Sequence, residues 1–188
     1  MKNRFIVALT AAALTCAGLI VATAPAAQAA PASYPTRSGT ILVTTDPWVA
    51  KWGIVFFQGF GHSAIVYNTS QVVESISSGV TLGANDWYTA RKKVTGVTVS
   101  STTTAQDSQA ASWAYSQIGK PYNINYYDMG TRSKFYCSQL VWAAFKDKYG
   151  IDLNTSQWDI NLLFIHETAI APTELVSTPK TSTIYTQG

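Results

Sequence analysis

Phe135-Tyr136-Cys137-Ser138-Gln139-Leu140-Val141-Trp142 decides the reading of this chain, because it holds the cysteine expected to remain in the mature protein. After Cys137 the apolar residues Leu140, Val141, Ala144, Phe145 and Tyr149 fall at helical spacing, with Gln139, Lys146 and Asp147 on the other faces. Gly150 ends the pattern. The thiol is therefore expected in the first turn of a buried helix, where free main-chain N–H groups and the positive end of the helix dipole favour thiolate over thiol. A cysteine so placed is a candidate nucleophile, although a lone buried cysteine is more often an inert small hydrophobe. The choice between the two depends on a partner base.

The other cysteine, Cys16, belongs to a different kind of segment. Lys2 and Arg4 precede an apolar run from Phe5 to Thr23, and Ala27-Gln28-Ala29 has the small-residue pattern of a cleavage site. Residues 1–29 read as a secretory signal peptide with cleavage near Ala29, so the protein is expected outside the cell. Thr15 before Cys16 is a poor residue for lipoprotein processing, and Cys16 is expected to leave with the signal. One remaining cysteine forms no internal disulfide, and an unpaired thiol in an oxidising compartment is a liability unless buried or used.

The remaining chain of roughly 159 residues suits one domain with one core. No later apolar run approaches the ~18 residues of a membrane span, so no integral anchor is expected. The formal charge of +3 owes much to the two basic residues of the signal, and no basic patch points to nucleic acid. A monomer is expected.

Taken in order, 30–38 is a Pro-, Ala- and Ser-rich arm, and the catalytic domain is expected over 39–188. Gly39 to Thr44 reads as a strand, and Trp48 to Phe60 is ambiguous between a short helix and an extended segment. His62 to Tyr67 and Gln71 to Ile76 read as a hairpin about Asn68-Thr69-Ser70, entered through the flexible Gly59-Phe60-Gly61. His62 and Glu74 are twelve residues apart, an even spacing that favours one face of the sheet; a one-residue bulge is expected to undo that pairing. Residues 78–93 read as punctuation and an amphipathic connection, and Val94 to Ser100 as another strand. Thr104 to Ile118 reads as a helix with a capping-box pattern at Thr104 and Asp107. Pro121 to Lys134 is a loop in which Tyr122 and Tyr126, with Tyr136 beyond it, are candidates for lining a substrate groove. Ile151-Asp152-Leu153 and Asn161 to Ile165 are short elements, and the end from Pro172 reads as polar loop. Strands early and helices late give an α+β fold, an antiparallel sheet packed against helices in a single domain.

The chemistry follows from three side chains. A thiol attacking an amide needs a base for its proton, and the base needs a third group to fix its orientation. Cys137, His62 and Glu74 supply those roles; His166 is a rival base. With one thiol, no H-E-x-x-H and no C-x-x-C, neither a metal nor a cofactor is expected.

Gly61-His62-Ser63-Ala64-Ile65, Glu74, Ile118-Gly119-Lys120-Pro121-Tyr122 and the Tyr136 to Trp142 stretch together resemble the circularly permuted branch of the NlpC/P60 papain-like superfamily, the YiiX/YaeF-like amidases. The order carries the resemblance, because histidine lies on an early hairpin and cysteine on a late helix. It runs from about Gly39 to Leu153 and departs at Thr40, where many relatives carry an acidic residue. The resemblance implies a papain-like core, a Cys137–His62–Glu74 site and amide hydrolysis. Cell-wall peptides of peptidoglycan or acyl amides are the implied substrates. A lipid-acting amidase or acyltransferase using the same site is the alternative, and a non-catalytic wall-binding module is a further one.

Overall fold

A computed structural model describes residues 29–46, 61–162 and 165–188, with main chain alone at 160–162 and 165–166. The expected signal peptide, but for Ala29, and the ambiguous stretch from Trp48 to Phe60 lie outside the described residues.

Six strands form one antiparallel sheet. They are β1 (Ile41–Thr44), β2 (His62–Asn68), β3 (Gln71–Ile76), β4 (Gly79–Ala84), β5 (Val94–Val99) and β8 (Thr181–Gln187), in the order β4-β3-β2-β1-β5-β8. Between β4 and β5 lies the short helix α1 (Trp87–Ala90), and after β5 come α2 (Thr104–Tyr115) and α3 (Cys137–Tyr149). A separate ribbon pairs β6 (Ile160–Leu162) with β7 (Ile165–Glu167), and α4 (Glu174–Ser177) leads into β8.

Strand alternation divides the core. Ile41, Val43, Ile65, Val73 and Val97 pack with Ala110, Ala114, Leu140, Val141 and Phe145 of α2 and α3. Leu42, Ala64, Val66 and Val72 point the other way, onto Tyr34, Trp87 and Tyr185. Helix α3 buries every residue from Cys137 to Phe145, so its first half is surrounded rather than one-sided. Each fully buried Leu, Val or Phe contributes about 1.5–3 kcal/mol by leaving water. That is enough to fix the helix, and with it the position of Cys137.

Several expectations need correction. Residues 79–84 form a full strand against β3, where the sequence reads as punctuation, because glycines at 79 and 83 hide a strand pattern. The C-terminal stretch supplies an edge strand and a short helix rather than loop; β8 buries little beyond Tyr185, so its alternation is weak in the sequence. The capping box of α2 lies one residue earlier than read: Gln106 N–H donates to Thr103 Oγ1 at 3.3 Å, and Thr103 N–H to Gln106 Oε1 at 2.9 Å. That helix also stops at Tyr115, where Ser116 Oγ and Gln117 Nε2 turn back to Trp113 O. Ile151 to Leu153 is in no helix or strand.

The arm is not free. Tyr34 is buried and donates its hydroxyl to Asn85 Oδ1 at 2.9 Å, while Asn85 Nδ2 donates to Pro35 O at 3.1 Å. Arg37 pairs with buried Asp107 at 2.7 Å. Trp87 N–H donates to Tyr34 Oη, so the arm also clamps the start of α1.

Candidate active site

His62 is the first residue of β2 and is buried. Gly61 before it has φ 76°, and a Cβ there would overlap Thr44 O, so the sharp entry into the strand needs glycine. Glu74 Oε2 lies 2.6 Å from His62 Nε2. The two residues are not directly opposed: Glu74 faces Ala64, and His62 lies two residues farther along β2, a diagonal that a long side chain spans.

A bulge makes that pairing rather than undoing it. At the hairpin tip Asn68 faces Gln71, a register that, if continued, would set Glu74 against Ile65 and on the opposite face from His62. The irregularity between Val66 and Asn68 inserts Tyr67 and changes the register, so that Val66 faces Val72 and Ala64 faces Glu74. His62 and Glu74 then share a face. Tyr67 stacks on Tyr115 of α2, ring centroids 4.5 Å apart, which holds the bulged residue toward the helix layer.

Cys137 opens α3 and is 9% exposed. Three contacts place it. Ser75 Oγ donates to Phe135 O at 2.6 Å, Ser138 Oγ donates to Ile170 O at 2.7 Å, and Gly150 closes the helix in the left-handed region as read. The thiol hydrogen-bonds the His62 imidazole. With Nε2 taken by Glu74, Nδ1 is the nitrogen left to the sulfur.

The electrostatics agree across the pair. Burial pushes the His62 pKa down, but hydrogen bonds to Cys137 and Glu74 and their negative charges outweigh it and raise it to about 9. Burial pushes the Cys137 thiol up, and the His62 hydrogen bond and charge, with the Ser63 main chain, hold it below the ordinary thiol range. Opposite movements of two partners are the signature of a thiolate–imidazolium pair. The Ser63 hydroxyl is the weakest contributor to the thiolate; fully buried, it completes no hydrogen bond of ordinary geometry with any described residue.

The three tyrosines differ in placement. Tyr136 is buried, and its hydroxyl accepts from Ile170 N–H at 3.2 Å. Tyr126 packs edge-on against Tyr136 at 5.2 Å and shares a hydrogen bond with Tyr122. Tyr122 is half-buried; burial first, then the nearby Cys137 charge, pushes its hydroxyl pKa upward. Their loop is anchored by Gln139, which the helical pattern sets on a non-apolar face but which is fully buried. Its Oε1 accepts from Asn123 Nδ2 at 3.0 Å and Tyr136 N at 3.2 Å, and its Nε2 donates to the carbonyls of Asp128, Met129 and Thr131. A buried amide at the third helical position is not marked by periodicity; only the polar loop needing donors would have suggested it.

Trp87 also escapes the sequence reading. Its ring stacks on the imidazole at 5.5 Å, and nothing in residues 78–93 alone marks it as a neighbour of His62. The rival base His166 lies in β7 opposite Asn161, with its side chain outside the described residues.

A family model, that of the permuted papain-like amidase enzymes, YaeF/YiiX, C92 family, matches residues 44–185 of the chain. The chain belongs to this family. The family is one of papain-like cysteine amidases or peptidases. The uncharacterized protein YycO of Bacillus subtilis (strain 168) is 31% identical over 155 residues, 74% of this chain and 57% of that relative, so the chain spans little more than half of the relative's length. The crystal structure of metalloprotein yiiX from Escherichia coli O157:H7 shares the fold at TM-score 0.63 and 17% identity, covering 81% of this chain and 98% of that one.

Proposed function

We propose that this permuted papain-like amidase is a secreted cysteine hydrolase that cleaves amide bonds of cell-wall peptides, with Cys137 as nucleophile, His62 as base and acid, and Glu74 as the group that orients His62. The observation that carries the reading is the continuous hydrogen-bonded line from Glu74 through His62 to Cys137 at the start of a buried helix. Cys137 thiolate attacks the amide carbon, and its carbon–oxygen double bond opens to an oxyanion near the Cys137 N–H. His62 imidazolium gives its proton to the leaving amine as the carbon–nitrogen bond breaks, leaving a thioester. Neutral His62 then takes a proton from water, which attacks the thioester and releases the carboxylic acid; the sulfur leaves as thiolate, and imidazolium is restored. Export, read from residues 1–29, places the enzyme beside peptidoglycan.

Among the described residues no group of three or more His, Cys, Asp or Glu side chains is arranged to hold a metal ion, and His62 Nε2 already faces Glu74. Digestion of purified peptidoglycan by wild type and Cys137→Ala tests the proposal: new amino groups and altered muropeptides are expected from wild type alone, and identical profiles would count against it.

The tyrosine cluster favours a second reading, in which the acyl group comes from a lipid amide or passes to an amine or alcohol. Tyr122 and Tyr126, backed by the buried Tyr136, put aromatic surface near the thiol, suited to an acyl chain. A fatty-acyl thioester on Cys137, detected by intact mass, would select it.

A further inference from the structure

Glu74 reaches His62 on β2 with its carboxylate lying against a position of β4, on its other side, that has no side chain. On β4, Gly83 faces Val72 and so lies diagonal to Glu74, whose direct partner is Thr81. A Cβ built on Gly83 overlaps Glu74 Oε1, comes within 3.0 Å of its Cδ and lies 3.2 Å from Val72 Cγ2. The first two atoms belong to the carboxylate whose other oxygen lies 2.6 Å from His62 Nε2. The φ of Gly83 is not in the left-handed region, so the backbone there suits any residue. What the position requires is empty space. Glycine weakens a strand interior, and one placed where the backbone does not need it marks a close approach.

We propose that Gly83 is a positioning residue: its bare Cα is the seat on which the Glu74 carboxylate rests, and without that seat the carboxylate cannot hold the imidazole of His62. The proposal rests on the Cys137–His62–Glu74 reading given above. The tip of Glu74 is flexible, so an added methyl group displaces the carboxylate before it displaces the strand. Gly83 therefore acts through Glu74 on His62, and through His62 on the thiolate.

The test is the rate of Cys137 alkylation by iodoacetamide, read by intact mass, at pH 6 and pH 10. The variants are Gly83→Ala, Glu74→Gln, the double variant and His62→Ala. At pH 6 only the ion pair supplies thiolate, whereas at pH 10 the thiol ionises without it. Gly83→Ala is expected to slow alkylation at pH 6 by about tenfold, the equivalent of one pH unit, and to leave pH 10 within about twofold. The double variant is expected to be no slower than Glu74→Gln, because both substitutions remove the same contact. A general packing defect would add to Glu74→Gln instead, and additive losses overturn the proposal. Wild-type rates in Gly83→Ala with slowed Glu74→Gln overturn the seat and leave the site reading intact. Wild-type rates in every variant, His62→Ala included, overturn the site reading and the seat with it. Should Gly83→Ala not fold, Gly83→Ala/Glu74→Ala replaces it: a folded double variant supports the seat, and an unfolded one overturns it.

Discussion

Replacing Glu74 by Gln keeps the length and an acceptor oxygen at the His62 contact while removing the charge. The carboxylate oxygen lies 2.6 Å from Nε2 and its side chain is 13% exposed, so the contact is largely shielded from water. A hydrogen bond to a charged group contributes about 1.5–3 kcal/mol against about 0.5–1.5 for a neutral one. Full Coulomb attraction at ~4 Å with an effective dielectric near 20 would give about 4 kcal/mol. Taking about 2 kcal/mol as the loss, the alkaline midpoint of His62 falls by about 1.5 pH units from its wild-type position. A negative neighbour favours the protonated ring, so its removal moves the midpoint down. The wild-type midpoint is about 9, set by Cys137 and Glu74 against burial, and Cys137 remains in the variant to hold the ring partly up. In the proposed mechanism imidazolium is the acid that protonates the leaving amine, so the alkaline limb of any turnover is expected to move down with it. The measurement is an NMR titration of the imidazole ring; the chain has two histidines, and His166→Ala removes the second signal. A midpoint within about 0.3 pH units of wild type, or one that rises, would refute the reasoning.

Other outcomes follow from contacts around the pair. Ser63→Ala removes a buried hydroxyl that completes no hydrogen bond of ordinary geometry with any described residue, so stability is expected to stay level or rise by about 1 kcal/mol. Alkylation of Cys137 at pH 6 slows by less than about threefold in the same variant; a loss of stability in urea unfolding beyond about 2 kcal/mol would show that the hydroxyl has a partner. Gln139→Ala leaves the buried Tyr136 N–H without its acceptor and takes one of two partners from Asn123 Nδ2 and from the carbonyls of Asp128, Met129 and Thr131, and is expected to cost about 3 kcal/mol in urea unfolding, with faster amide exchange over residues 123–131. A cost under about 1 kcal/mol would mean that the loop holds without it.

Much of the site was legible because its chemistry is written in residue types and short-range pattern. Helical spacing after Cys137 put the thiol at a helix start, and the β-branched runs around Asn68-Thr69-Ser70 drew the hairpin. Buried amides, stacked rings and empty positions leave no periodic mark. Gln139, Trp87 and Gly83 therefore emerge only when the loop, α1 and β4 are brought against the pair.

What the sequence by itself determined is the set of candidate reacting groups, their order along the chain and the local elements that carry them. Tertiary structure decided their meeting. The even spacing of His62 and Glu74 gives a shared face only in some registers, and the tight turn at the tip starts the ladder in the wrong one. Bulging out Tyr67 corrects it, and the bulge is held by a ring on α2 that is distant in sequence. Side-chain direction in a strand reverses with every residue, so one residue accommodated by long-range packing determines whether the carboxylate faces the imidazole.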